Sequence, residues 1–149
     1  MATACRFCAI VAGEVSAALV HEDDEVLAFL DTHPLFPGHT LVVPRVHAET
    51  LGDLPAKLVE PVFRVVGAVS AALQAALGAE GAFIAVNERV SQSVPHLHVH
   101  VVPRRKGDGL RGFFWPRTRY DPEERAEEVA AKLRAATAAV LARGVWREP

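Results

Sequence analysis

Cysteine is nearly absent: only Cys5 and Cys8 occur in 149 residues. Two such residues cannot make the disulfide framework that holds small secreted domains together. The Cys-x-x-Cys spacing fits a reducing compartment and leaves three readings open: a metal pair, a redox pair or two unrelated thiols. Charge of one sign is also missing. Sixteen Lys and Arg face 18 Asp and Glu, for a net charge of −2. That argues against a general nucleic-acid-binding surface, so no nucleic-acid partner is expected. No window of about 20 residues is free of charges and breaks, so no membrane span is expected. The alanine-rich stretch 65–77 is too short to cross and reads as a helix. Arg6, Gly13 and Glu14 interrupt any apolar N-terminal run, so a cytoplasmic location is expected rather than export. Repeats and low-complexity linkers are absent too. One domain over residues 1–149, half of them hydrophobic, is the simplest organisation.

The patterning that is present suggests a mixed fold. Residues 5–13 suit a short helix carrying the cysteine pair. Residues 18–21 and 25–30 read as strands around an Asp23-Asp24 turn, and 40–43 as a strand ending at Pro44. The 32–39 stretch, with two prolines and a glycine, is a loop. Over 54–77, Leu58, Val62, Val66, Val69, Leu73 and Leu77 recur at helical spacing. Asp53 with Pro55 suits the start of that helix and Gly78 its end, while Pro61 either kinks it or delays its start. Residues 82–86 and 97–102 are strands. Asp121-Pro-Glu-Glu124 supplies the cap and first turn of a second helix. Val129, Leu133, Ala136 and Val140 line one face of that helix, and Gly144 ends it. The fold class expected is α+β: a mainly antiparallel sheet, one central helix and a C-terminal helix.

Against this background one segment stands apart: Ser93-Val-Pro-His96-Leu-His98-Val-His100-Val-Val-Pro103-Arg104. On a strand its three imidazoles share one face, and Leu97, Val99 and Val101 the other. Neighbouring rings are then about 6.6 Å apart along the chain. Three polar rings on one face of a core strand need partners, so the pattern points to chemistry rather than packing. A single catalytic zinc held by all three is a poor reading. The outer two lie about 13 Å apart along an extended strand, too far for bonds of about 2 Å to one ion.

The segment resembles the histidine triad family of nucleotide hydrolases and transferases, whose pattern is His-φ-His-φ-His-φ-φ with φ apolar. His96-Leu-His98-Val-His100-Val-Val matches it completely. The resemblance extends over roughly residues 5–105. It takes in Cys5-Arg-Phe7-Cys8-Ala-Ile10, Gly13-Glu14, Glu22-Asp23-Asp24 and Leu27-Ala-Phe29-Leu-Asp31. It continues through Pro37-Gly-His39-Thr-Leu-Val-Val-Pro44 and His47. The nucleotidylyltransferase branch usually carries glutamine at the third triad position, so His100 points to the hydrolase branches.

That resemblance implies a two-step displacement at the α-phosphate of a purine nucleotide. His98 would be the nucleophile, which needs a neutral imidazole with one nitrogen free. His100 would hold the α-phosphate, and Ser93 would assist protonation of the leaving group. Gln92 and Asn87 match family residues near the phosphate and, for Asn87, the ribose. Asp31 matches the ribose-binding acid, and a carboxylate suits two hydroxyl donors. Phe7, Ile10 and Phe29 match the apolar pocket around the base. Taken alone, Ser93, Asn87 and Asp31 read as turn residues, Gln92 as a solvated side chain, and the three apolar residues as core. The link Glu88-Arg89-Val90-Ser91 is shorter than the family's loop and lacks its glycine. Arg89 there reads as an exposed charge. A cysteine-bearing bacterial branch binds structural zinc, and the matching ligands are Cys5, Cys8, His47 and His96. A closed four-ligand site is structural rather than catalytic.

Beyond the triad, arginines alternate with Phe113, Phe114 and Trp115. Such a mix can stack on a base, but packing on the body or a second subunit is the better reading. The family is usually homodimeric, and a homodimer is expected here. The activity expected is release of a nucleoside monophosphate from a nucleoside phosphoramidate or a dinucleoside polyphosphate. The rival reading is a nucleotide-binding regulatory or interaction module with little turnover.

Overall fold

Side chains alternate faces along a strand, and in this chain both faces of the central strands are apolar. The computed structural model describes residues 5–110, 119–120 and 126–143. Helix α1 (Arg6–Val11) precedes β1 (Leu19–Glu22), β2 (Val26–Leu30) and β3 (Thr40–Pro44). A short 3₁₀ turn (Leu51–Asp53) leads into α2 (Ala56–Leu77), followed by β4 (Gly81–Ala85), β5 (Val99–Arg104) and α3 (Ala126–Arg143). The five strands form one antiparallel sheet in the order β1-β2-β3-β5-β4. The expected α+β class, with its mainly antiparallel sheet, central helix and C-terminal helix, is the observed one.

In β2 every second residue turns to α2. Val26 and Ala28 join Val42, Val99 and Val101 in a core closed by Leu58, Val62, Val66 and Val69 of the helix. The alternate residues Leu27 and Phe29 join Leu41 and Val43 under Phe7 and Ile10 of α1. Two layers therefore cover the sheet, a long helix on one face and a six-residue helix on the other. The helix α2 is long and apolar enough to cross a membrane by length and composition. Here Leu58, Val62, Val66, Val69 and Leu73 are buried against the sheet, while Phe63 and Leu77, the last of the expected apolar repeat, are exposed.

Several expectations are corrected. The long helix begins at Ala56 and runs through Pro61, so that proline does not delay its start. Asp53 does not cap it. Its carboxylate accepts from the Thr50 amide and hydroxyl, at 3.1 and 2.7 Å, and closes the preceding 3₁₀ turn. Gly78 does end the helix, in the left-handed conformation at φ 65°. The last strand starts at Val99 rather than at residue 97. β3 pairs with it only as far as Val42↔Val99; Pro44 has no N–H to extend the ladder. His96 and His98 therefore precede β5. In α3 Leu133 is 61% exposed, so it belongs to neither core. The 113–115 aromatics, the 121–124 helix start and Gly144 lie outside the described residues.

Candidate active site and metal centre

Although the strand starts late, the alternation through the histidine segment persists. Leu97, Val99 and Val101 enter the α2 core, and the histidines take the α1 side. Phe7 stands edge-on to His96 and His98, with ring centroids 6.0 and 5.2 Å away, and to Phe29 at 5.3 Å. The rings of His98 and His100 are 4.9 Å apart.

Hydrogen bonds fix which nitrogen of each ring carries the proton. The fully buried His96 donates from Nε2 to the Pro44 carbonyl at 2.9 Å, which leaves Nδ1 as its lone-pair nitrogen. Burial holds this imidazole below the ordinary histidine pKa. His98 donates from Nδ1 to the His96 carbonyl at 2.7 Å, so its lone pair is on Nε2. His39 accepts the Leu35 amide proton at Nδ1, 3.1 Å away. Its own proton is then on Nε2, which donates to His100 Nδ1 at 2.9 Å. His100 in turn must carry its proton on Nε2. Burial, followed by the neighbouring His98 and His39, pushes the His100 pKa down to about 4. Burial lowers His39 as well. Both rings are neutral near pH 7, and His100 offers an N–H donor that does not depend on protonation.

Of these rings, His98 and His100 border a cavity of about 270 Å³. Phe7, Ile10, Phe29 and Leu41 form its apolar wall; Asp31, Ser93, His98 and His100 line its polar end. Asp31 is held by the His33 amide, which donates to Oδ1 at 2.9 Å. Asn87 lies on the far side of His100, in a neighbouring hollow of about 480 Å³. Gln92 does not line the cavity. Its Nε2 donates to the Glu49 carbonyl at 2.7 Å, and its Oε1 accepts from the Arg89 amide at 2.8 Å.

The other expected cluster is also assembled. Cys5 Sγ and Cys8 Sγ each stand 3.5 Å from His96 Nδ1, and Cys8 Sγ stands 3.3 Å from His47 Nδ1. All four ligand atoms fall within 4.8 Å of one another. An ion bonded at about 2.3 Å to sulfur and about 2.0 Å to nitrogen sets tetrahedral S and N ligands roughly 3.5 Å apart. The observed spacings match that. The lone pair of His96 Nδ1 faces the sulfurs because Nε2–H is tied to the Pro44 carbonyl, the outer hydrogen bond that a metal-binding histidine requires. Burial and the adjacent Cys5 raise the Cys8 thiol pKa, and a bound cation would reverse that.

Asp31, His39 and His100 also gather their ligand atoms within 4.8 Å. Their chemistry is different. The Leu35 amide occupies His39 Nδ1, which forces the proton onto Nε2, the nitrogen facing His100 and Asp31. A protonated nitrogen cannot ligate, so His39 serves as a donor to His100 and the trio is not read as a second metal site. His39 was visible in the sequence only as part of the Pro37-Gly-His39 stretch, with no role attached. The signal for it is Gly38 at φ +103°, a backbone position that favours glycine and sets His39 into the sheet beside the triad.

A HIT domain family model matches residues 12–107. The chain belongs to the HIT family. A HIT family protein from Bacillus anthracis superposes with a TM-score of 0.81 at 31% identity, over 94% of this chain and 99% of that one. A Zn-bound histidine triad family protein from Mycobacterium smegmatis is 38% identical, with a TM-score of 0.69 over 92% and 98% of the two chains. Adenylylsulfatase HINT3 of Arabidopsis thaliana is 36% identical over 108 residues, 71% of this chain and 55% of that protein.

Proposed function

We propose that this HIT protein is a nucleotide hydrolase acting at the α-phosphate through a nucleotidyl-histidine intermediate. The observation that carries the reading is the bond from His98 Nδ1 to the His96 carbonyl. It directs the Nε2 lone pair to a ring position lining the cavity, as a nucleophile requires. Nε2 attacks phosphorus, and the bond from phosphorus to the leaving group breaks with its electron pair on the leaving atom. The Ser93 hydroxyl passes a proton to that atom and regains one from solvent. Water then attacks the adduct and gives a proton to solvent, the bond from phosphorus to Nε2 breaks with its electron pair returning to nitrogen, and a nucleoside monophosphate departs. The His100 N–H donates to the phosphoryl oxygens as charge builds on them.

In this reading the base, a purine, lies against Phe7, Ile10 and Phe29, and the ribose hydroxyls donate to Asp31. The substrate is a nucleoside phosphoramidate or a dinucleoside polyphosphate. Support comes from the family membership and from a relative named as an adenylylsulfatase. Zinc would be held by Cys5, Cys8, His47 and His96 and would pin α1 to the sheet, with no part in the displacement. The setting is cytoplasmic and the assembly a homodimer, paired through β4, an outermost strand of the sheet among the described residues.

His98→Ala is expected to abolish turnover while nucleotide binding and fold persist, and the wild-type adduct should map to His98 by mass spectrometry. Undiminished turnover in that variant would overturn the mechanism and favour a binding module. Asp31→Ala should weaken a ribonucleotide roughly ten- to a hundredfold and its 2′,3′-dideoxy analogue far less, measured by calorimetry. Equal losses would remove Asp31 from the ribose. Protein purified without chelator should carry about one zinc per chain, and Cys5→Ser with Cys8→Ser should lose it along with several degrees of Tm. Metal analysis finding no zinc in the wild type would reject the site.

A further inference from the structure

The loop between β4 and the histidine segment carries two residues in the left-handed region, Arg89 at φ 65° and Ser91 at φ 59°. Neither is glycine, so the conformation must be held from outside. Side chains at the two ends of the loop do this. Glu88 Oε1 accepts the Leu51 amide proton at 2.6 Å. Gln92 bridges, donating from Nε2 to the Glu49 carbonyl at 2.7 Å and accepting the Arg89 amide at Oε1 at 2.8 Å. A turn within the loop, Val90 N–H to the Glu88 carbonyl at 2.6 Å, completes it. Both grips land on one short piece of backbone, Glu49 to Leu51. That piece follows His47 of the metal cluster and Ala48, whose carbonyl accepts the Leu97 amide at 2.6 Å. Ser93, at the polar end of the cavity, is the next residue after Gln92.

We propose that Glu88 and Gln92 are positioning residues that clamp this loop to the Glu49–Leu51 backbone and thereby fix Ser93 at the leaving-group side of the cavity. Gln92 then acts through Ser93 and does not contact the phosphate. The clamp does the work that a glycine-bearing loop would leave to backbone freedom. It also ties Ser93 to the segment that carries the metal ligand His47. The inference rests on the role given to Ser93 above.

The test is a leaving-group series of one nucleoside, from a poorly leaving alkylamine phosphoramidate to a 4-nitrophenyl ester that needs no proton. Ser93→Ala is measured beside Gln92→Ala, Glu88→Ala and Glu88→Gln. A proton donor contributes roughly 10²–10⁴ in rate, and a small misplacement forfeits part of that. Gln92→Ala and Glu88→Ala should lower kcat about tenfold or more for the alkylamine and less than about twofold for the ester, with KM unchanged. Glu88→Gln, which keeps an acceptor for the Leu51 amide, should recover most of the rate. Gln92→Ala added to Ser93→Ala should cost little more, because the two act as one unit. A Gln92→Ala variant that raises KM, or slows both substrates alike, or adds fully to Ser93→Ala, would overturn the proposal and return Gln92 to the phosphate. If Ser93→Ala itself shows no leaving-group dependence, the role of Ser93 fails, and the clamp proposal falls with it.

Discussion

His96 is the residue on which the site depends, because four of its atoms are committed. Its amide donates to the Val94 carbonyl at 2.8 Å. Its Nε2–H reaches the Pro44 carbonyl at the end of β3, its Nδ1 faces both cysteine sulfurs, and its own carbonyl accepts the His98 Nδ1 proton. One side chain therefore joins the end of the sheet to the cysteine–histidine cluster, and one peptide unit joins that cluster to the proposed nucleophile. A fully buried imidazole is costly unless both nitrogens are used. Here the sheet supplies one partner and the sulfurs the other. The tautomer of His98 follows without any charged group to set it.

The same accounting runs through the rest of the polar interior. His39, His96 and His98 are each at most 4% exposed, and no buried side-chain polar atom among the described residues lacks a partner. Burial favours the neutral rings of His39 and His100 and outweighs the opposing pull of the Asp31 carboxylate, so the phosphate donor keeps its form across the neutral range. Asp31, the acid nearest the chain of rings, stands 3.8 Å from His39 Nε2. That is too long for a hydrogen bond, which keeps its carboxylate in the service of the cavity.

Much of this was legible in the sequence because period-two alternation survives irregular backbone. The split between Leu97, Val99 and Val101 on one side and the three histidines on the other holds although β5 starts only at Val99. The helical repeat from Leu58 to Leu73 gave α2, and the left-handed Gly78 its end. What stayed hidden depends on long-range partners. Asp53 looks like a cap for α2, and only the fold shows that Thr50 claims its carboxylate. Gly38 marks only the backbone turn before His39; the role of the ring comes from the Leu35 amide on one side and His100 on the other. Gln92 matches a phosphate-side family residue in the linear motif, yet Glu49, 43 positions earlier, takes its amide. Leu133 and Ala136 lie on the apolar face of α3, yet both are exposed among the described residues.

The central claim is the arrangement of protons on the four imidazoles, and long-range ¹H–¹⁵N NMR of histidine-labelled protein reads it directly. Near pH 7 His98 should carry its proton on Nδ1, while His39, His96 and His100 carry theirs on Nε2. A His98 ring protonated on Nε2, or charged at that pH, would leave no lone pair facing the cavity and would contradict the account.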